Sequence, residues 1–397
     1  MVKNTVFEAQ WDQAREIVHA APTLQTTEQV ALSESIGRVL AQDILALSDM
    51  PPFAAARIDG WAVNGPGPWI LIGDITAGHH SINRIAPGQC AHIATGAAIP
   101  VGVTACLKDE ESSVNGNVVT AQFGAQDLLV ENCLPVGHDI RPVGYEGKSG
   151  EKIISRGARI TPAIVGVLAA CGYDSVDVYS RITIDVLVFG DELVTQGSSR
   201  DGKVRDSLGP QLPAWCDHLG AHLQSVTLIR DTLDAHVSAI RNSTANLIVT
   251  TGGTAAGPVD HLHQAIVECG GSLLVDAVLV RPGYHQLFAQ IGQQYLLGLP
   301  GNPQSAIIGL LGLGSAFISG SQQVALPNLP LFPAGADLNA PAKELRMTLG
   351  TVKDQSVHPV EHLDSSMLRG FVDAQGYALV PAGGVKAGQM VRWLKLP

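Results

Sequence analysis

Basic residues are scarce in this 397-residue chain: 25 Lys and Arg face 36 Asp and Glu, for a formal net charge of −11. Nucleic-acid-binding proteins present a basic stripe or patch, so that partner is excluded as an expectation. Aromatic residues make up only 5% and charged residues 15%, while 46% are hydrophobic, a balance that excludes a disordered chain. The six cysteines, Cys90, Cys106, Cys133, Cys171, Cys216 and Cys269, form no C-x-x-C pair. A zinc ribbon or redox couple is therefore not expected, and the thiols read as small buried hydrophobes in a reducing compartment. No signal-peptide apolar region opens the sequence, and the apolar stretch 306–319 is shorter than a membrane span. A cytoplasmic protein without a membrane partner is expected.

Glycine (43) and proline (23), by contrast, are abundant, and their uneven spacing divides the chain. The first residues read as an amphipathic helix with Phe7, Trp11, Ala14 and Val18 on one face. From about 46 to 150, short apolar runs alternate with turn signals, which predicts a β-rich domain. Residues 161–171 read as a short helix with proline near its start and Gly172 after its end. From 182 onward the rhythm changes. Continuous apolar runs at 182–190 and 246–253 predict strands buried on both faces. Helical patterns at 211–219 and 259–269 and a last helix at 303–317 alternate with them, so a doubly wound α/β domain is expected over 181–322. A proline-rich linker and short strands then predict a small C-terminal β domain.

In open α/β sheets, ligands bind beyond the carboxyl ends of the strands. Three polar clusters follow apolar strands here. "FGDELV" places Asp191 and Glu192 at a strand end, where an acid pair can bind a divalent cation, and Asp206 and Ser207 follow in "VRDS". "TTGGTAAGPVDH" is a glycine loop that is neither a P-loop nor a G-x-G-x-x-G fingerprint. Gly252 and Gly253 allow close backbone approach to a ligand. A helix starting near Pro258 would aim free N–H groups at the loop. Asp260 could hold Mg²⁺ against a phosphate, since Mg²⁺ uses one or two carboxylates plus phosphate oxygens. "GLPGNPQSA" is a rigid loop whose Asn302 and Ser305 either face the same cleft or cap the last helix. Earlier in the chain, Asp59 sits in a turn made by Gly60, and Thr95-Gly96 forms a second tight turn able to bind an oxyanion. His79-His80 and His261/His263 lack third-ligand spacing and read as exposed histidines.

Together "SESIGRVLAQDI", "SDMPPFAAARIDGWAV", "IATGAAIP", "GDELV", "RDS", "TTGG", "RPG" and "GLPGNPQSA" resemble, in order and spacing, the molybdopterin molybdenumtransferase (MoeA, or gephyrin E-domain) family over nearly the whole chain. The resemblance implies a multidomain α/β plus β fold: a discontinuous N-terminal domain (1–45 and 144–180), an inserted β domain (46–143), a central molybdopterin-binding, MogA-like α/β domain (181–322) and a C-terminal β domain (323–397). It implies a homodimer whose cleft is shared between subunits, acting beside other proteins of molybdenum cofactor biosynthesis. It further implies that adenylylated molybdopterin and molybdate react, with Mg²⁺, to give molybdenum cofactor and AMP. Carried over by residue, Asp59, Thr95 and Arg281 act near molybdate. Glu192, Asp206, Asp231 and Asp260 serve Mg²⁺ and the adenylate, with Glu192 and Asp260 as metal ligands. Ser207, Gly252, Gly253, Thr254, Gly283, Pro300, Gly301, Asn302, Ser305 and Ser365 line the pterin site.

The sequence also departs from that family. Its Asp-Asn-Ser after Pro-Pro-Phe is Ala54-Ala55-Ala56, with Arg57 in place of a small residue. Tyr145-Glu146 stands for an acidic pair, Thr232 for the second acid after Asp231, and Pro258 lies in the glycine loop. In "RPGYHQ", Tyr284 replaces a lysine. Losing such an ammonium beside an oxyanion removes a contact worth about 1.5–3 kcal/mol. Two other readings therefore share these motifs. One is a catalytically impaired relative that binds or carries molybdopterin or its cofactor. The other is an enzyme that adenylylates molybdopterin, since "TTGGT" resembles the Thr-x-Gly-Gly-Thr-Gly loop of related adenylyltransferases.

Overall fold

The computed structural model describes residues 5–22, 26–79, 82–122, 130, 133–255 and 261–396. Asp260, Pro258 and His80 lie outside these residues, as does the helix start expected near Pro258. The chain divides into two compact units, residues 1–28 with 179–397, and residues 29–178.

In the larger unit, the apolar runs at Thr183–Phe189 and Leu247–Thr251 form adjacent parallel strands, almost wholly buried. A β-branched run with no polar alternation can only be covered on both faces. The seven-stranded sheet runs in the order Val6–Ala9, Ser272–Val278, Leu287–Ile291, Gln294–Leu299, Leu247–Thr251, Thr183–Phe189, His222–Ile229. Helices Leu212–Leu219, Leu233–Asn242, Leu262–Glu268 and Pro303–Ser321 complete the α/β layer. Ser272–Val278 and Leu287–Ile291 pair antiparallel, so the sheet is mixed.

The N-terminal segment differs from the sequence reading. Phe7 is 69% exposed in the strand Val6–Ala9, and the helix is Trp11–His19, with Trp11, Ala14 and Val18 buried. The strand pairs in parallel with Ser272–Val278, so the first part of the segment placed by sequence in a first domain (1–45), up to residue 28, belongs to the larger unit. Two glycines of the last helix make that packing possible. A Cβ at Gly312 would meet the Trp11 ring at 1.9 Å, and one at Gly320 would meet the His19 carbonyl oxygen at 2.0 Å. The last helix is 19 residues long and apolar enough to cross a membrane, but 83% of its apolar window is buried within the protein. It is a core helix, longer than the 306–319 segment suggested.

A second sheet in the same unit joins Val280–Arg281, Leu345–Lys353, Gly376–Val380, Met390–Lys395 and Leu331–Pro333. Its first pairing is parallel and sets Arg281 directly beside Arg346.

The smaller unit holds a six-stranded sheet built from Gly60–Val63, Trp69–Ile75, Gln89–Ile93, Ala105–Lys108, Ser112–Asn115 and Val118–Ala121. Gly60 opens a strand directly after a bend at 57–59, and only glycine fits there, since a Cβ would meet the Leu107 carbonyl oxygen at 2.1 Å. The helix Pro162–Ala170 is capped by Thr161, whose hydroxyl accepts from the Ile164 N–H at 3.3 Å.

Cys90, Cys106, Cys171 and Cys216 are buried, whereas Cys133 and Cys269 are only half-buried. Burial pushes the Cys90 and Cys106 thiols up to about 12 and the Cys216 thiol to about 11.

Candidate functional site

Two neighbouring cavities lie beyond the carboxyl ends of the central strands of the larger unit. The first, of about 860 Å³, is lined by the loops after Thr183–Phe189, Leu247–Thr251 and Gln294–Leu299. Glu192, Asp206, Ser207, Asp231, Gly252, Gly253, Thr254, Pro300, Gly301 and Asn302, all singled out from the sequence, line it. Gly252 and Gly253 have φ of 89° and 65°, the left-handed region open to glycine. The Gly252 N–H is already used by the Leu299 carbonyl at 2.9 Å. The N–H groups of Gly253 and Thr254 have no acceptor among the described residues and are the loop's free donors.

The carboxylates differ in what holds them. Glu192 is exposed, its side chain folds back over Gly190, and its carboxylate has no hydrogen-bond partner among the described residues. Asp231 accepts the Asp191 N–H at 3.4 Å and faces His236 Nε2 at 3.6 Å. Thr232, which stands in place of an acid, caps the helix Leu233–Asn242 by accepting from the Ala235 N–H. Asp206 is buried and its Oδ1 accepts the N–H groups of Leu208 at 2.9 Å and Gly209 at 3.0 Å, so it shapes the turn before the helix Leu212–Leu219. His236 is fully buried, stacked on Phe189 at 3.7 Å, and neither ring nitrogen has a hydrogen-bond partner. Burial holds its pKa below the usual histidine value despite the Asp231 charge.

The second cavity, of about 350 Å³, shares His285, Pro300 and Asn302 with the first. Arg281, Gly283, Tyr284, Ser305, Arg346, Asp364 and Ser365 complete most of its wall. Arg281 Nε donates to Glu344 at 2.8 Å, whereas the Arg346 side chain has no partner among the described residues. Asn302 does not cap the last helix through its side chain, which leaves the amide free for the cavities. Gln304 is buried at the start of that helix, and its Nε2 donates to the carbonyls of His362, Asp364 and Met367. The same residue's N–H donates to the Ser365 carbonyl at 3.0 Å, which fixes the loop carrying Ser365 and Ser366. Asp364 Oδ1 accepts from Ser366 N–H and hydroxyl, and these bonds hold its carboxyl below the usual range.

Sequence reasoning missed four of these residues. Arg205 lines the first cavity with a buried Nη1 that has no partner. Ser366 lines it too, Arg346 lines the second, and Gln304 holds the loop that carries Ser365 without lining either cavity. Only Arg205 carried a local signal, being next to Asp206. Arg346 reads as an ordinary strand residue until its register beside Arg281 is known.

Asp59 and Thr95 belong to the smaller unit, where the Thr95 N–H donates to Asp59 Oδ1 at 2.8 Å. That N–H is thereby unavailable to an oxyanion, contrary to the expectation for this turn. Ala55 and Ala56 are buried and pair with Ile140–Arg141, so the small residues there fill a packed strand. Arg57 lies 4.7 Å over the Tyr145 ring, so two of the departing positions contact each other.

Three family models tile the chain in order. The MoeA N-terminal region (domain I and II) matches residues 9–172, the probable molybdopterin binding domain 185–319, and the MoeA C-terminal region (domain IV) 332–396. The strand-end loops just described thus sit on an α/β domain of the molybdopterin-binding class. The chain belongs to the MoeA family. It is 28% identical over 393 residues to a molybdopterin molybdenumtransferase of Bacillus subtilis, covering 93% of this chain and 89% of that one. A Staphylococcus epidermidis protein of the same name is 29% identical over 293 residues, 70% of this chain and 68% of its own. The crystal structure of a molybdopterin biosynthesis MoeA protein from Pyrococcus horikoshii shares the fold with a TM-score of 0.81 at 18% identity, covering 98% of this chain and 100% of that one.

Proposed function

We propose that the protein is a molybdopterin molybdenumtransferase, which takes adenylylated molybdopterin and molybdate as substrates and releases AMP. The observation that carries this reading is the pair of adjoining cavities with opposite linings. The larger has carboxylates and free backbone donors; the smaller has two arginines set side by side and two serines. An adenylylated pterin needs the first kind of surface and an oxyanion needs the second.

In the larger cavity, the free N–H groups of Gly253 and Thr254 and the buried, unpartnered Nη1 of Arg205 suit phosphate oxygens. A buried unpaired donor costs about 1–3 kcal/mol, which an anionic ligand recovers. Mg²⁺ fits the same wall: Glu192 and Asp231 offer hard oxygen donors, and no cluster of three His, Cys, Asp or Glu among the described residues forms a protein cage. That matches a cation that takes one or two carboxylates and keeps the rest of its shell for phosphate and water. When bound, Mg²⁺ would neutralise charge developing on the adenylate phosphate. Asp206 keeps the turn in shape, and Asp231, beside the buried His236, faces the cavity with a carboxylate fixed by the Asp191 N–H.

In the smaller cavity, Arg281 and Arg346 attract molybdate, the Ser305 hydroxyl supplies a donor, and the Ser365 hydroxyl supplies a second on leaving Asp364 Oδ1, to which it donates at 3.4 Å. His285, Pro300 and Asn302 stand where the two substrates meet. A homodimer, a cytoplasmic location and roles for Asp59 and Thr95 belong to the same proposal. Sedimentation against concentration tests the first, and Asp59→Asn in the AMP assay tests the last.

The carrier reading keeps one specific support: Arg281 is already paired with Glu344, and Tyr284 brings no charge. Purified protein, adenylylated molybdopterin, Mg²⁺ and a molybdate titration, with AMP followed by chromatography, separate the two. Molybdate-dependent AMP release is the expected result. Tight pterin binding without AMP at any molybdate concentration would leave the carrier, and pyrophosphate release from ATP with unmodified molybdopterin in a parallel assay would point to the adenylylating enzyme.

A further inference from the structure

We propose that Tyr284 and Glu8 are positioning residues that hold the Arg281 guanidinium ready for the oxyanion in the smaller cavity. This rests on the function proposed above. Arg281 is long, exposed and flexible, and such a side chain loses rotamer freedom when it is ordered on a ligand. Here the ordering is built in. Glu344 takes Arg281 Nε at 2.8 Å, and the guanidinium carbon lies 5.3 Å from the Tyr284 ring centroid. The Tyr284 ring is itself fixed, because its hydroxyl donates to Glu8 Oε1 and the His285 ring packs edge-on against it at 5.0 Å. Glu8 comes from the edge strand Val6–Ala9, which pairs with Ser272–Val278. Glu8, Tyr284, Arg281 and Glu344 thus form a continuous line of contacts. The two Nη atoms are what this line leaves for a ligand, beside Arg346.

The family's lysine would attract an oxyanion by its own charge. In this chain the tyrosine does so through the placement of a neighbour's charge. A merely structural role, tying the N-terminal strand to the 281–285 loop, would instead lower overall activity or stability without choosing between substrates.

The test compares Tyr284→Ala, Tyr284→Phe, Tyr284→Lys and Glu8→Gln in full-length protein. Steady-state AMP release supplies KM for each substrate, and equilibrium dialysis against molybdate alone supplies Kd. Tyr284→Ala is expected to raise the molybdate KM and Kd about fivefold, the upper end of the range of an exposed cation–π contact. Its kcat and pterin KM should stay within about twofold, since neither depends on this contact. Tyr284→Phe and Glu8→Gln keep the ring and should cost about two- to threefold. Tyr284→Lys should restore molybdate binding through charge. An unchanged molybdate Kd in Tyr284→Ala, or a fall in kcat with a matching rise in pterin KM, would overturn the proposal. If the unaltered protein releases no AMP but the dialysis ranking holds, the positioning role stands and the enzymatic reading falls. If AMP is released and the ranking is absent, the reverse is true.

Discussion

The two cavities of the larger unit share one wall and differ in almost everything else. The larger one is acidic, with Glu192, Asp206 and Asp231 against one arginine, and its glycine loop keeps Gly252 and Gly253 while departing from the family at Pro258. The smaller one is basic, with Arg281 and Arg346 against Asp364, and it contains the departure at Tyr284. A carboxylate wall works through a recruited cation, so its protein groups can vary while oxygen donors remain. An oxyanion pocket works through fixed cations, so each lost charge must be replaced by another charge or by better placement of those left. The contacts made by Tyr284 fit the second course.

The comparison breaks first at Arg346. Arg346→Ala removes the only arginine of the smaller cavity without a carboxylate partner among the described residues. Molybdate-dependent AMP release should fall about 10- to 100-fold, through molybdate KM, because a charge-assisted contact is worth about 1.5–3 kcal/mol. Glu192→Gln should act on the other side of the shared wall. About tenfold loss is expected, with a shifted Mg²⁺ requirement and an unchanged molybdate Kd. An effect of either variant on both substrates alike would dissolve the distinction between the cavities.

Gln304→Leu tests the scaffold between them. Three carbonyls lose a buried donor, and urea unfolding should show a loss of about 2 kcal/mol, with faster proteolysis in the 362–367 loop. His236→Leu addresses the packing behind the larger cavity, where the imidazole stacks on Phe189. Native His236 has a pKa below that of the unfolded chain, so the unfolded state binds the proton more tightly. Stability from this group is therefore present above the unfolded value, near pH 6.5, and is lost as pH falls below it. The leucine variant should flatten that acid-side loss in a Tm-against-pH series. The smallest effect concerns thiols: Cys90, Cys106 and Cys216 should stay unmodified by a thiol reagent in the native protein, leaving the half-buried Cys133 and Cys269 to react.

Much of the larger cavity was legible because its parts are local. An apolar run, two glycines and a strand-end acid occur within a few residues of one another, and the sheet brings such ends together by topology. Residues 6–19 were less legible. Phe7, Trp11, Ala14 and Val18 match a helical period, but the pattern cannot show that Gly312 and Gly320, some three hundred residues away, make room for Trp11 and His19. The smaller cavity was legible only in half. Arg281, Gly283, Ser305 and Ser365 stand in motifs, whereas Arg346 reaches the site through a parallel strand pairing and Glu8 through a tyrosine hydroxyl. Long-range register and side-chain reach leave no periodic trace. The Thr95 turn carried a misleading signal, since glycine beside a hydroxyl suggests free N–H groups and Asp59 already occupies one.

The division of labour between the cavities is tested most directly by diffraction from crystals soaked in tungstate, a heavy analogue of molybdate. Anomalous density is predicted in the smaller cavity, within hydrogen-bonding reach of Arg281, Arg346, Ser305 and Ser365, and absent from the larger one. A peak against the Gly252–Gly253 loop, with the arginine pocket empty, would contradict the account.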